Sequence, residues 1–111
     1  MLLDFFCMIY DTVFMKRTTA SVKETFKEAG NSLKTWRRIY ALKAKQVAER
    51  AGISLVTLYK IEKGDPSVSV GAFLEVARSL GLLESFRESL DPLNSDLGRM
   101  RLNDNLPKRI R

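Results

Sequence analysis

The chain has 111 residues, 45% of them hydrophobic and 29% charged, which suffices for one domain with a single small core plus tails and argues against disorder throughout. It carries 19 Lys/Arg against 13 Asp/Glu, a net charge of +6, with one cysteine and no histidine. Cys7 alone forms no internal disulfide, suits a reducing cytoplasm, and leaves zinc binding and Cys/His catalysis without the residues they need.

Residues 1–15, MLLDFFCMIYDTVFM, are apolar and aromatic. They lack the basic start and small-residue cleavage site of a secretory signal, Asp4 and Asp11 interrupt the run, and it is too short to span a bilayer. Three readings stand: a strand or helix covering a core edge or a dimer partner, a membrane-surface segment, or an artefact of start-codon choice, since Lys16 and Arg17 open a basic stretch directly after Met15. The expected organisation is an N-terminal segment over 1–20, a domain over 21–91 and a basic tail over 92–111.

Within the domain, SVKETFKEA predicts a short amphipathic helix over 21–29 with Val22, Phe26 and Ala29 on one stripe, closed by Gly30. Asn31 or Ser32 then caps a helix whose buried stripe is Leu33, Trp36, Ile39 and Tyr40, with Lys34, Arg37 and Arg38 facing water. Trp36, on the apolar stripe, is expected as a core anchor. Residues 42–64 then read as helix, tight turn, helix. Val47, Ala48 and Ala51, followed by Leu58 and Ile61, keep helical spacing of three and four. Gly52 between the two sets tolerates the left-handed backbone that ends a helix, and Ile53 drops into the angle between the helices. Ser54 caps the second helix, which stops at Gly64 before Asp65-Pro66.

After Pro66, Ser67 or Ser69 caps a helix with Val70, Phe73, Leu74, Val76, Ala77 and Leu80 apolar, ended by Gly81. Leu82, Leu83, Phe86 and Leu90 form a shorter stripe that Asp91-Pro92 stops. That last helix has more apolar surface than a domain this small covers internally, so Leu83 and Phe86 are expected to anchor a symmetric dimer. Beyond Leu93, scattered apolar residues without periodicity and dense basic charge predict a flexible tail, ordered by a partner.

Charge is unevenly placed. Residues 16–63 hold 12 Lys/Arg against 4 Asp/Glu, residues 64–97 hold 2 against 6, and residues 98–111 hold 5 against 1. A concentrated positive field on the half that carries the helical pair is what phosphate binding through counterion release requires. A helical pair joined by a turn this short is also how DNA-binding proteins carry a helix into the major groove. Lys43 and Lys45, near the start of the first helix, are placed to grip phosphate with help from its positive dipole end.

The pattern Ala48, Gly52, Ile53, Ser54, Leu58, Tyr59, Lys60, Ile61, Glu62, Lys63, Gly64 resembles the helix-turn-helix of Cro/repressor-type (Xre) regulators. The resemblance implies an all-α, five-helix domain of that type. It also implies roles by position: Leu55, Val56 and Lys60 facing bases, and Thr57, Tyr59 and Lys63 reaching phosphate or a flanking base. The family's phosphate-clamping Gln at the first position of the helix before the turn is Ala44 here, and Gln46 lies about 200° further round the helix. Leu55 and Val56 offer contact to thymine methyls but no hydrogen bond to guanine, which leaves discrimination to Lys60, apolar contacts and DNA shape.

A narrower resemblance covers residues 21–111: GNSLKTWRRIYALKAKQVAERAGIS, the DPSVS turn, and the ending LPKRIR look like HipB-like antitoxins encoded beside HipA-like kinases. It implies binding to double-stranded operator DNA to repress its own operon and binding to a HipA-like kinase to restrain it, which with the expected dimer and reducing compartment makes the chain a cytoplasmic homodimer. In the tail, Leu97, Arg99, Arg101, Lys108 and Arg109 are the expected partner contacts. Two other readings stand beside it: a stand-alone phage-type repressor, and a protein-interaction inhibitor with weak DNA binding. No enzymatic activity, cofactor or metal is expected. The glutamates, Glu62 included, fit solvent-facing helical positions with no pocket-forming pattern around any pair, and Glu62 is expected to partner a nearby Arg.

Overall fold

The computed structural model describes residues 18–105, which fold as α1 (Ala20–Ile39), α2 (Ala44–Ala51), α3 (Leu55–Lys63), α4 (Val70–Ser79), α5 (Leu83–Leu90), a 3-10 turn (Pro92–Asn94) and α6 (Asp96–Asn105). The fold is all-α, with no strand among the described residues. The readings made for residues 1–15 lie outside the described residues, as do the tail residues Lys108 and Arg109.

The first departure from expectation is α1, one continuous helix of 20 residues instead of two. Thr19 caps it, its hydroxyl accepting the Val22 N–H at 3.2 Å. Gly30 lies inside the helix and is buried because α1 crosses α3 there. A Cβ on Gly30 would fall 2.8 Å from the Glu62 carbonyl oxygen and closer still to that of Ile61. The glycine is thus a point of backbone approach, and it looks like a helix stop only to local reasoning. Gly64 repeats the arrangement at the end of α3: its φ is +80° and a Cβ there would lie 2.6 Å from the Lys27 backbone nitrogen. Gly30→Ala is expected to cost about 1–3 kcal/mol from overpacking. The helix-propensity gain of about 1 kcal/mol is too small to reverse that loss. Thermal unfolding should report a drop in Tm of roughly 5–20 °C, and a rise would show that the helices do not meet at this point.

With α1 unbroken, the face toward α3 carries Phe26, Gly30, Leu33 and Arg37, and this sets which other residues are exposed. Phe26 meets Phe73 of α4 edge to face at 6.5 Å, and Leu33 is 5% exposed. Trp36, expected as a core anchor, lies about a quarter-turn off that stripe and is 37% exposed. Ile39 and Tyr40, also expected inside, are 62% and 50% exposed. The Trp36 and Tyr40 rings pair with each other on the surface, with centroids 5.7 Å apart. Arg37, expected to face water, is drawn inward in their place.

The core is Leu33, Val47, Ala48, Ala51, Leu58, Ile61, Val76 and Leu80, with Ile53, Phe73 and Leu82 packed against it. Between Leu42 and Gly81 local chemistry places the core residues as expected, except that Val70, at the start of the expected apolar stripe, is 69% exposed. Gly52 adopts φ 71° and ends α2, while Ser54 accepts the Thr57 N–H at 3.1 Å and starts α3. Ser69 rather than Ser67 caps α4, accepting the Ala72 N–H at 3.0 Å. Ser67 instead donates its N–H to Asp65 at 2.8 Å, and this bond with the Ser67 hydroxyl holds the Asp65 carboxyl below its usual range. The sign follows: Asp65 adds stability above the ordinary carboxylate range and loses it as pH falls through the lowered value. In the α1–α2 turn, Ala41 takes φ 55°, the one left-handed non-glycine among the described residues.

The chain after Leu90 also departs from expectation. Where sequence patterning predicts a flexible tail without regular structure, the 3-10 turn and α6 follow. Asp91 accepts the Leu93 N–H at 2.9 Å, and Ser95 caps α6 through the Gly98 N–H at 2.9 Å. Arg99 pairs with Asp96 and donates to the Leu93 carbonyl at 2.6 Å. Caps and a local ion pair, rather than an apolar stripe, specify this helix, and periodicity therefore gives no sign of it. It packs chiefly on the 3-10 turn.

Candidate nucleic-acid interface

Helix α3 divides cleanly between inside and outside. Leu58, Ile61 and Glu62 are buried. Leu55, Val56 and Tyr59 are 39%, 64% and 45% exposed, and Lys60 and Lys63 are exposed with them. At 100° per residue these five share one arc, so the structure gathers five of the six α3 residues expected at DNA onto a single surface. Thr57 lies off it: the residue is half-buried and its hydroxyl accepts a hydrogen bond from Ser54 at 2.9 Å. The Asp65 carboxyl just beyond α3, held low chiefly by its bonds from Ser67, is lowered a little further by the positive charge of Lys60.

Lys43 and Lys45 are exposed at the start of α2, which packs on α3. The Lys43 N–H donates to the Gln46 side-chain oxygen at 2.8 Å, so Gln46 caps its own helix. Ala44, in the position where a Gln was expected by resemblance, is half-buried against the core.

Arg37 and Glu62 fasten α1 to α3. The Arg37 Nε donates to Glu62 Oε2 at 2.8 Å, Nη2 donates to Oε1 at 3.2 Å, and Nη1 donates to the Leu42 carbonyl at 3.2 Å. The side chains are 12% and 5% exposed. Glu62 therefore does not lie on a solvent-facing position; its expected pairing with an arginine is what buries it. The Glu62 carboxylate, against the opposing effect of burial, raises the Arg37 pKa, so the guanidinium stays charged. Above this pair opens a cleft of about 240 Å³ lined by Lys34, Arg38, Tyr59 and Lys63. Sequence reading places Lys34 and Arg38 only on a solvated face. Their spacing of four puts both on one side of α1, but nothing local indicates which helix lies opposite.

Two further surfaces bear on expected contacts. Leu74, Leu83, Phe86, Arg87, Leu90 and Asp91 line a shallow groove of about 490 Å³ between α4 and α5. Phe86 is 39% and Leu90 70% exposed there, while Leu83 is half-buried. On α6, Leu97 is 60% exposed, Arg101 is exposed, and Arg99 is held by Asp96 and Leu93. Among the described residues no cluster of three or more His, Cys, Asp or Glu could hold a metal, and no helix is long and apolar enough to cross a membrane.

A family model described as a helix-turn-helix domain matches residues 28–90, from the middle of α1 to the last residue of α5. Comparison with curated proteins gives no match, and neither does comparison with solved structures.

Proposed function

The chain belongs to the helix-turn-helix domain family, whose members act as DNA-binding regulators, and from that premise we propose that it is a dimeric, cytoplasmic repressor of its own operon that also restrains a HipA-like kinase. The observation that carries the DNA half is the α3 surface: Leu55, Val56, Tyr59, Lys60 and Lys63 exposed together, in a stretch with 12 Lys/Arg against 4 Asp/Glu over residues 16–63. In this reading α3 enters the major groove, where Leu55 and Val56 meet thymine methyls and Lys60 reads a base edge. Lys43 and Lys45 hold phosphate, and Tyr59 and Lys63 take the backbone or a flanking base. Thr57, bonded to Ser54, acts at the start of the helix.

Replacing Lys43 and Lys45 together by alanine tests the docking. Removing one lysine–phosphate pair should lower the slope of log affinity against log salt by about 0.9, so the double variant should lose nearly 2. Operator titrations at several salt concentrations read this directly. Unchanged affinity and slope would place the DNA elsewhere.

The kinase half rests on resemblance to HipB-like antitoxins and on the segment after Leu93. Leu97, Arg99 and Arg101 on α6, with Lys108 and Arg109 beyond, supply apolar and basic contacts for a groove with an acidic rim. Since α6 packs chiefly on the 3-10 turn, removal of residues 94–111 should leave the five-helix fold intact. Pull-down with the kinase encoded beside the gene should then weaken at least tenfold, while operator affinity falls less. Equal kinase binding with no operator binding would make the segment a DNA arm.

A further inference from the structure

The recognition-helix reading uses the α3 side of the cleft between α1 and α3, Tyr59 and Lys63, and leaves its α1 side, Lys34 and Arg38, without a role. Three of its lining side chains, Lys34, Arg38 and Lys63, are cations with no ion-pair partner among the described residues, and Tyr59 adds a hydroxyl. The acid in the cleft, Glu62, does not oppose an incoming anion. Both of its oxygens are occupied by Arg37, and its side chain is 5% exposed. A lining of three free cations over a neutralised pair selects a compact anion with several acceptor oxygens, and a phosphodiester meets that requirement. Tyr59 and Lys63 belong at once to this lining and to the exposed arc of α3, so a duplex lying along α3 passes the mouth of the cleft.

We propose that Lys34 and Arg38 of α1, with Tyr59 and Lys63 of α3, form a backbone-phosphate site at the flank of the α3 footprint, on a different helix from Lys43 and Lys45. The proposal rests on the DNA-binding reading above. Its chemistry gives affinity without base preference, because phosphate oxygens are the same at every step. It also ties DNA contact to the α1–α3 junction: the cations lie one turn or less along α1 from Arg37, the residue that clamps α3.

The experiment compares the full chain with the Lys34→Ala/Arg38→Ala variant and with the charge-preserving Lys34→Arg/Arg38→Lys variant. Binding is measured to operator and to random duplex over a range of salt. The expected result is a slope lower by nearly 2 in the alanine variant, affinity weaker by an order of magnitude or more for both duplexes, and recovery of most of the loss in the charge-preserving variant. Circular dichroism should show the same helix content in all three. Wild-type binding with an unchanged slope in the alanine variant would overturn the site while leaving the DNA-binding reading in place. Failure of the wild type to bind any duplex would overturn that reading itself. A parallel NMR titration with inorganic pyrophosphate separates the other source of phosphate. If pyrophosphate shifts the Lys34, Arg38 and Lys63 signals while DNA binding ignores both substitutions, the cleft takes a free phosphate compound and the backbone assignment is refuted.

Discussion

Replacing Glu62 by alanine should lower the stability of the fold by about 3–5 kcal/mol, the range for breaking a buried ion pair from one side. The size follows from what is left behind. Arg37, with a side chain 12% exposed, would keep one hydrogen bond, to the Leu42 carbonyl, and lose both bonds to the carboxylate. It cannot discharge: its pKa is raised by Glu62, and even without that partner a guanidinium stays protonated at any pH at which the protein is studied. As a group with a raised folded pKa, Arg37 contributes stability at all pH below the guanidinium range and loses it only above, so raising the pH within the range at which the protein is studied does not discharge the arginine. Urea unfolding followed by circular dichroism measures the loss. The companion variant Arg37→Met/Glu62→Leu separates the pair's net worth from the cost of orphaning one member; it should recover most of the stability, because apolar replacement of a buried pair is often neutral or better. If Glu62→Ala costs less than about 1 kcal/mol, as for an exposed pair, the α1–α3 clamp is solvent-screened and the fold is held by its apolar contacts alone.

What can be read from the sequence, and what cannot, divides along the range of the forces involved. Gly52, Ser54 and Gly64 are each demanded by geometry within a few residues, so the helix-turn-helix and its exposed arc are legible to within a residue. Gly30 is not, because its role is set by the Ile61 and Glu62 carbonyls across a tertiary contact, and a glycine at a helix crossing has the same local signature as one at a helix end. The misplacing of Trp36, Ile39 and Tyr40 follows from that one error: a helix cut at Gly30 leaves the phase of its second half unfixed, and apolar character is then a poor guide to burial. Helix α6 escapes pattern reading for the opposite reason, since its cap at Ser95 and its Asp96–Arg99 pair are local but leave no periodic apolar trace. The basic cleft joins residues as far apart as Lys34 and Lys63 and is out of reach of spacing arguments altogether.

In the dimer proposed above, Phe86→Ala should weaken self-association by roughly a hundredfold while leaving most of the stability of the single chain in place. Phe86 lies outside the buried core and is 39% exposed in the isolated chain, so its removal opens no internal cavity. Its ring stands on a groove with Leu74, Leu83 and Leu90, and Leu90 at 70% exposure gains nothing from facing water. Helix α5 has no side-chain cap and no buried residue, so little within one chain accounts for its apolar stripe. Arg87, already paired with Glu84 on its own helix, and Asp91 give the apolar groove a polar edge. A second copy is therefore the occupant expected, with Leu83 beside Phe86 in the lining of the groove. A ring fully buried is worth about 3–5 kcal/mol on truncation to alanine; with 39% of Phe86 left to cover on each of two copies, association loses about 2–4 kcal/mol, and at 1.4 kcal/mol for each factor of ten in the dissociation constant that is roughly a hundredfold. Sedimentation equilibrium of the two proteins at micromolar concentration reads the change, and urea unfolding of the monomeric variant checks that the fold survives. A wild-type chain that sediments as a monomer, both free and on operator DNA, would remove the dimer. Equal loss of fold and association in the variant would instead make Phe86 part of the core.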